Sequence, residues 1–271
     1  MELSQQQRNE FSETLWSFYA QHARDLPWRE PDPDSHFDPY SIMVSELMLQ
    51  QTQVSRVMLK YAEFLQRFPT VQALALAEQG DVLRVWQGLG YNRRAKFLWQ
   101  AARIVAQAGH FPDTLAELVT LPGVGTNTAG AILSYAYNRP AVFIETNVRT
   151  VYIHHFFHDR IDVTDKEIVA VLEQTLDREN PRDFYWAIMD YGSHLKTTIG
   201  NLNRASRHYT RQSTFKGSRR QIRGRIIFVL GSGNQTLPAL QAAIPDARLE
   251  GVIDDLVAEG MVRSHDGVYS L

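Results

Sequence analysis

The chain has 271 residues, 44% of them hydrophobic, which suits one sizeable globular domain with a smaller second one. It contains no cysteine, which excludes disulfides, thiolate zinc sites and iron–sulfur clusters held by cysteine. No stretch approaches the ~20 apolar residues of a membrane span and the N-terminus lacks the apolar core of a signal peptide, so we expect a cytoplasmic protein. The formal net charge of −2 argues, taken alone, against nucleic-acid binding.

The first part of the chain predicts two helices. Apolar residues recur at helical spacing over residues 5–22 and again from Pro39 to Val54. Glu46 of the second helix stands among apolar neighbours, where loss of solvent favours the protonated carboxyl group. Such a group is a candidate proton donor, although a glutamate on the helix surface explains the local sequence equally well.

A glycine-rich turn, Gly88-Leu89-Gly90, precedes the next long helix. Tyr91 follows the turn, and Arg93 and Arg94 come directly after it. An aromatic ring followed by two cations suits a base-stacking residue beside phosphate contacts. A core tyrosine with two solvated arginines is almost as good an explanation.

Residues 121–147 carry the most specific pattern. The run from Leu121 to Gly125 is too rich in glycine for a helix or strand interior, so it predicts a hairpin that opens a helix at Thr126. Backbone N–H groups at such a helix start can hold a phosphate, and the candidates are Gly123, Val124 and Gly125. Glu145 directly precedes another predicted helix, whose dipole favours an anion. An ordinary loop remains the alternative for the Gly-x-Gly sequence alone.

Three more helices are predicted over residues 147–158, 165–176 and 181–195. His154 and His158 have the spacing of a metal-binding pair, but no HExxH motif or third ligand accompanies them. We therefore interpret them as structural or DNA-facing residues.

The segment from Tyr191 to Arg225 holds nine Lys or Arg and no Asp or Glu. This basic segment is either a solvated linker or a surface that follows a phosphate backbone. Its candidate DNA contacts are Lys196, Arg204, Arg207 and Arg211.

The end of the chain differs in character. Three short helices are predicted over residues 219–230, 236–244 and 249–259, and a hairpin with an Asp-Gly turn follows them. This order resembles a winged-helix domain.

Four motifs give the chain a family resemblance: Ser45–Val54 (SELMLQQTQV), Gly88–Tyr91 (GLGY), Leu121–Gly125 (LPGVG) and Trp186–Gly192 (WAIMDYG). Together they resemble the helix-hairpin-helix DNA glycosylases, the superfamily that includes endonuclease III, and most of all the pattern of adenine DNA glycosylases.

The resemblance implies an all-α, two-lobed glycosylase fold over residues 1–215. One lobe of six helices would span about 30–138, and the other would combine 1–29 with 139–215. A small winged-helix-like α/β domain would follow at 216–271, where adenine glycosylases usually carry a larger domain related to the Nudix enzymes.

The resemblance also assigns roles. In that family the residue at Glu46 protonates the base, the acid at Glu145 lies at the excision site, and Gln50, Gln51 and Tyr91 insert into the DNA stack. Cleavage of the N-glycosidic bond follows the two-carboxylate logic of glycosidases. The residues that match the family's base pocket are Arg24, Trp28, Arg29, Asn147 and Asp190.

Three features depart from the family. Most members hold a [4Fe–4S] cluster with four cysteines, so we expect no cofactor here and leave open only a monovalent cation at the hairpin. Asn127 stands where bifunctional relatives have a Schiff-base lysine, and an amide is no amine nucleophile, so we expect no lyase activity. The family's catalytic acid is aspartate, and a shift of about 1 Å can cost on the order of 100-fold in rate, so Glu145 predicts excision that is slowed, retuned or lost.

The sequence therefore predicts a monofunctional, monomeric DNA glycosylase that acts on duplex DNA containing a mismatched or damaged base, with adenine as the leading candidate. We expect it in the cytoplasm, associated with the nucleoid. A deaminated or alkylated base such as uracil, thymine or hypoxanthine remains an alternative, as does a non-catalytic lesion-binding protein. A transcription factor is the weakest option, because it leaves Glu46 and Glu145 unexplained.

Overall fold

The computed structural model describes residues 1–211 and 213–271, and helices dominate it. The described helices are α1 (Gln5–His22), α2 (Pro39–Leu49), α3 (Val54–Arg67), α4 (Val71–Leu76), α5 (Gln79–Val85), α6 (Arg93–Ala108), α7 (Leu115–Leu118), α8 (Thr126–Tyr137), α9 (Thr146–Phe156), α10 (Asp165–Thr175), α11 (Pro181–Thr198), α12 (Arg219–Gly231), α13 (Leu237–Ala243) and α14 (Leu249–Ala258). The strands are β1 (Gln235–Thr236), β2 (Arg263–His265) and β3 (Val268–Ser270), and single 3-10 turns lie at Pro27–Arg29 and Leu202–Ala205. This content confirms the predicted fold class. No helix in the described parts of the chain is long and apolar enough to cross a membrane.

The chain divides into two compact units. The first unit comprises residues 1–42, 113–119 and 124–211, and the second comprises 43–112, 120–123 and the described residues from 213 onwards.

In the first unit, α11 is the central helix and packs against α1, α8 and α9. Its approach to α9 depends on Gly192, since a Cβ atom there would lie 2.7 Å from the Cβ of Asn147. The ring of Tyr185, on α11, stacks on the ring of Phe143 with centroids 3.9 Å apart. Burial of these large aromatic side chains stabilises this unit.

In the second unit, α6 packs against α4 and α5, and α12 packs against α5 and α14. The C-terminal helices thus share one compact unit with residues 43–112. The largest fully buried side chains of its core are Met43, Leu47, Met48, Phe64, Leu74, Leu83 and Trp86.

The C-terminal strands form an antiparallel sheet in the order β1-β3-β2. Asp266 and Gly267 join β2 to β3 with φ angles of 48° and 73°, the left-handed pair that a tight type I′ hairpin requires. The end of the chain thus contains three helices and a small antiparallel sheet, and its assignment as a winged-helix-like domain stays a prediction.

One predicted helix is wrong in its length. The pattern from Pro39 to Val54 predicted a single helix, but α2 ends at Leu49 and α3 begins at Val54. Between them Gln51 has a φ of 54°, outside the helical region. A buried arginine, Arg94, hydrogen-bonds to the last carbonyl groups of α2 and so ends the helix. The short helices α4 and α7 were not predicted.

Candidate active site

The hairpin from Leu121 to Gly125 uses its two glycines differently. Gly123 has a φ of 80°, and a Cβ atom there would lie 2.8 Å from the Cβ of Phe97, so glycine is required by both conformation and space. Gly125 is the N-cap of α8 with an ordinary φ of −85°, and a Cβ atom there would meet no heavy atom of the described chain within 4 Å. The fold does not require glycine at 125, and its absent side chain leaves the N-terminal N–H groups of α8 accessible to a ligand.

Asn127, in the first turn of α8, is bonded to the segment that carries Glu145. Its Nδ2 donates to the carbonyl oxygen of Ile144 at 2.8 Å, and its Oδ1 accepts from the backbone N–H of Ile144 at 3.3 Å. The side-chain amide of Asn127 therefore binds both the carbonyl oxygen and the N–H of Ile144. It fixes the backbone directly before Glu145.

Glu145 is the N-cap of α9, as the sequence predicted, but its side chain makes no capping hydrogen bond. Burial raises the pKa of this half-buried carboxyl group, and the positive charge of Arg149 partly opposes the shift. Arg149 lies one turn further along α9 and is held by Asp165 through two hydrogen bonds of 2.7 Å. Sequence reasoning missed Arg149, although its i,i+4 spacing from Glu145 was a usable signal.

Glu46 lies in the second unit, in the last two turns of α2. It is 9% exposed, while Met43 and Leu47 on the same helix are fully buried. Glu46 is therefore a buried carboxyl group on a helix whose neighbouring residues are also buried.

Asp190 brings together three of the predicted base-pocket residues. Its side chain is 1% exposed and accepts from Nε of Arg24 at 2.5 Å and from both terminal nitrogens of Arg29 at 2.8 Å. The guanidinium of Arg29 also lies 5.3 Å from the ring centroid of Trp186. Charge-assisted bonds to a buried carboxylate fix the orientation of both arginines. Trp28, the fourth member, is buried on the adjoining turn.

Asn147, the last predicted member, lies on α9 and contacts the same stretch of α11. Its Nδ2 donates to the carbonyl oxygen of Met189 at 3.2 Å, one residue before Asp190. The close approach at Gly192 permits this contact. In the first unit, Asn147 therefore contacts α11 at the residue next to Asp190.

The structure corrects the expected phosphate contact of Arg94. This residue is 7% exposed, and its guanidinium donates internally at 2.6 to 3.2 Å to the carbonyl oxygens of Leu47, Met48, Gln50, Leu89 and Gly90 and to Oγ1 of Thr52. Burial lowers its pKa to about 10, so it stays charged at neutral pH. A buried cation whose donors bind internal oxygens is not available to DNA. Arg94 instead ties the loop after α2 to the loop before α6.

Those two loops carry the candidate stacking residues. Gln50 is half-buried and Gln51 is exposed, and Gln51 and Tyr91 both have left-handed backbones with φ angles of 54° and 47°. Arg93 is exposed, and its Nη2 donates to Oε1 of Glu259 at 2.6 Å. The predicted phosphate contact of Arg93 therefore competes with an internal ion pair.

The basic segment does not form one uniform surface. Lys196, Arg204 and Arg211 are exposed, and no described carboxylate lies within ion-pair distance of them. Arg207 differs, because it pairs with Asp162. We therefore expect the first three to be the better phosphate contacts.

Hydrogen bonds to the rest of the first unit hold the loop after α11. Asn203 is buried and donates from Nδ2 to Oγ1 of Thr150 at 2.7 Å. The backbone N–H of Val163 donates to the carbonyl of Ala205 at 2.9 Å, and Val163 accepts from Arg207 at 3.0 Å. Asn203, interleaved with the cations of the basic segment, was expected on the phosphate-following surface, whereas it is buried against Thr150, a residue that sequence reasoning missed.

The histidines at and just after the end of α9 have different surroundings. Burial lowers the pKa of His155 to about 4, and this ring lies 3.1 Å from the hydroxyl of Tyr191. The exposed His158 pairs with Asp159. Among the residues that the structure describes, no group of three His, Cys, Asp or Glu could hold a metal ion.

Comparison with known proteins tests the resemblance seen in the motifs. The family model for HhH-GPD superfamily base excision DNA repair proteins matches residues 44–177. Adenine DNA glycosylase of Mycobacterium tuberculosis (strain ATCC 25618 / H37Rv) is 34% identical over an alignment 286 positions long. The alignment covers 95% of this chain and 92% of that protein.

Two solved structures share the fold. A thermostable thymine-DNA glycosylase is similar with a TM-score of 0.61 at 24% identity, over 69% of this chain and 87% of its own. A trapped endonuclease III–DNA covalent intermediate is similar with a TM-score of 0.60 at 18% identity, over 71% and 88%. The resemblance predicted from the motifs is confirmed.

Proposed function

The chain belongs to the HhH-GPD superfamily of base excision DNA repair proteins, and on that premise we propose that it removes adenine from duplex DNA in which the adenine is mispaired or lies opposite a damaged base. The enzyme class is DNA N-glycosylase. The observation that carries the choice of adenine is the 34% identity to an adenine DNA glycosylase, which extends over nearly the whole of both chains.

Cleavage of an N-glycosidic bond needs a proton for the leaving base and an anion for the cationic sugar. We assign the proton to Glu46, a buried carboxyl group that is 9% exposed. We assign the anion to Glu145. A carboxylate withdrawn from water interacts more strongly with a developing cation, and the same withdrawal explains its raised pKa.

The buried cluster around Asp190 is our candidate for base recognition. A base inside a duplex must be flipped out before its glycosidic bond can be attacked. Arg24, whose side chain is 31% exposed, would donate a hydrogen bond to an acceptor on that base, and Asn147 would add an amide from the adjacent helix. Arg29, buried and bonded to Asp190, would hold the pocket in shape.

DNA binding in this proposal uses three features. The N-terminus of α8 at Gly125 would hold a backbone phosphate, and the exposed cations of the basic segment would add sequence-independent contacts. Gln50, Gln51 and Tyr91 would enter the duplex where the target base has left it. The protein would act as a monomer on duplex DNA, in the cytoplasm and associated with the nucleoid.

The product would be an abasic site with an intact strand. Asn127 has no amine with which to form a Schiff base, and both ends of its amide are bonded to Ile144. The proposal therefore includes no lyase step and no cofactor.

Single-turnover assays with end-labelled duplexes test the substrate. The panel contains adenine opposite 8-oxoguanine, adenine opposite guanine, uracil or thymine opposite guanine, hypoxanthine, 3-methyladenine and an undamaged control. We expect cleavage of the adenine-containing mismatches only, and only after alkali treatment. Cleavage confined to another base would replace the substrate, and cleavage without alkali would contradict the monofunctional assignment.

The variant Glu46→Gln tests the mechanism, with Glu173→Gln as the matched control because Glu173 is an exposed glutamate on α10. We expect Glu46→Gln to abolish base release while DNA affinity is kept, and the control to behave as wild type. Unchanged release in Glu46→Gln would remove this residue from the chemistry. Retarded but uncleaved DNA with the wild type on every duplex would favour a non-catalytic lesion-binding protein.

A further inference from the structure

Tyr91 is contacted by the C-terminal part of the chain. Nη1 of Arg220, on α12, donates to the hydroxyl of Tyr91 at 2.5 Å. The guanidinium of Arg220 also lies 5.5 Å from the centroid of the tyrosine ring. Both residues belong to the second compact unit, although 129 positions separate them in sequence.

The backbone of Tyr91 needs such support. Its φ of 47° is uncommon for a bulky aromatic residue, and it follows two glycines of the same turn, Gly88 and Gly90, which also have positive φ angles. A turn of this kind has several accessible conformations unless its side chains are held. Arg94 lies 5.4 Å from the ring centroid and Arg220 binds the hydroxyl, so two cations hold the side chain.

Arg220 is itself fixed in place. Its Nη2 donates to the carbonyl oxygen of Ser213 at 2.7 Å and to the hydroxyl of the same residue at 3.3 Å. Ser218 caps the start of α12 by accepting from the N–H of Gln221, which sets the position of the helix turn that carries Arg220.

The C-terminal domain that carries Arg220 is bound firmly to the helices beside Tyr91. Glu259, at the end of α14, accepts from Arg93 at 2.6 Å and from Arg223 at 2.5 Å. Its carbonyl oxygen accepts from Lys96, and Gln79 of α5 donates to the carbonyl of Gly260 at 2.7 Å. These bonds fasten the domain to α5 and α6, so it can hold Tyr91 in one place.

We propose that the C-terminal domain positions Tyr91 for insertion into the duplex, with Arg220 as the positioning residue. This inference rests on the proposed function, because it assumes that Tyr91 enters DNA. It gives the winged-helix-like domain a role in the insertion step rather than in the chemistry at Glu46 and Glu145.

Two other roles of Arg220 predict different results. A simple phosphate contact would act independently of the tyrosine hydroxyl. A contact that occludes Tyr91 in the free protein would make the enzyme faster once Arg220 is removed. The test therefore needs variants at both residues and the sign of the change.

The experiment compares the full-length variants Arg220→Ala, Tyr91→Phe and their double variant, with Arg248→Ala as the control. Arg248 is an exposed arginine of the same domain that pairs locally with Asp246. Base release is followed under single-turnover conditions at subsaturating enzyme. Insertion is followed by the fluorescence of 2-aminopurine placed next to the target pair, on a duplex whose target nucleotide is a non-cleavable analogue.

We expect Arg220→Ala to lower the subsaturating rate and the fluorescence change about tenfold, which corresponds to about 1.4 kcal/mol. Tyr91→Phe keeps the ring and lacks only the hydroxyl, so it should give a similar loss, and the double variant should lose no more than either single variant. Arg248→Ala should match the wild type in both readouts.

A double variant whose loss of rate is the product of the two single losses would overturn the inference. So would an Arg220→Ala variant whose rate is unchanged or higher than that of the wild type. Failure of the proposed function can be told apart from failure of this inference. In the first case the wild-type protein would release no base from any duplex, while the 2-aminopurine fluorescence would still report insertion. Melting temperatures of all variants identify a loss caused by unfolding, and Tyr91→Phe then decides alone, since it leaves the C-terminal domain intact.

Discussion

Arg94→Ala should destabilise the protein strongly, because this guanidinium is buried and bonded to five carbonyl oxygens and one hydroxyl. Three of those carbonyls, at Leu47, Met48 and Gln50, lie at the end of α2, where backbone acceptors lack partners within the helix. Arg94 therefore supplies both the missing donors and a positive charge at the negative end of the helix dipole.

The size of the effect follows from burial. Each buried acceptor that loses its donor costs about 1–3 kcal/mol, and because several carbonyls lose theirs together we expect a total loss of about 3–5 kcal/mol. At ~2–4 °C per kcal/mol for a chain of this size, we expect the melting temperature to fall by roughly 10 °C. Arg94→Lys keeps the charge but lacks the planar fork that reaches both loops, so its loss should be smaller than that of Arg94→Ala.

The assay is thermal unfolding of Arg94→Ala beside Arg103→Ala. Arg103 is an exposed arginine on the same helix that lies over the ring of Trp99, so its loss should cost no more than about 1 kcal/mol. DNA affinity is then measured at several salt concentrations below the melting temperature. A phosphate contact would leave the melting temperature unchanged and lower the salt slope by about one. That result would refute the argument that Arg94 serves only inside the protein.

Three further outcomes are expected. Glu145→Gln should abolish base release yet raise the melting temperature at pH 8, because a raised pKa means that the ionised carboxylate destabilises the folded state. This gain in melting temperature should shrink as the pH falls and the wild-type carboxylate takes up its proton. A gain that grows at pH 5 would contradict the raised pKa. Asn127→Ala should slow base release at saturating enzyme about tenfold without changing DNA affinity, since it frees the segment before Glu145, and an effect on affinity alone would contradict that role. Replacing Lys196, Arg204 and Arg211 together with alanine should lower the salt slope of DNA binding by up to about 2.7 and leave the rate at saturating enzyme unchanged, whereas an unchanged slope would show that these cations do not contact phosphates.

Local sequence was sufficient where a helix or turn is decided by neighbouring residues. The helix over residues 5–22 begins at Ser4, whose side chain and that of Gln7 cap each other's backbone groups, and the Asp266-Gly267 turn forms with the φ angles its residues favour. The end of α2 was not predictable in this way. Its sequence continues with helical periodicity to Val54, and the competing donor, Arg94, lies 44 to 47 residues beyond the carbonyl groups that it binds at this helix end.

The candidate site shows the same limit. Sequence motifs selected Arg24, Arg29 and Asp190 individually, but only the folded chain shows that one buried carboxylate binds both arginines. The orientation of a long, flexible side chain depends on partners from distant segments, and no local pattern encodes these.

The basic segment extends this argument from single residues to a surface. Nine cations without an acidic residue between them suggested one continuous contact with phosphates. In the folded chain, carboxylates from elsewhere neutralise part of the segment, since Asp162 pairs with Arg207 and Glu259 pairs with Arg223. A run of like charges in sequence defines a binding surface only where the fold brings no counter-charge to it, which is why we assign the phosphate contacts to its exposed, unneutralised members and a positioning role to Arg220.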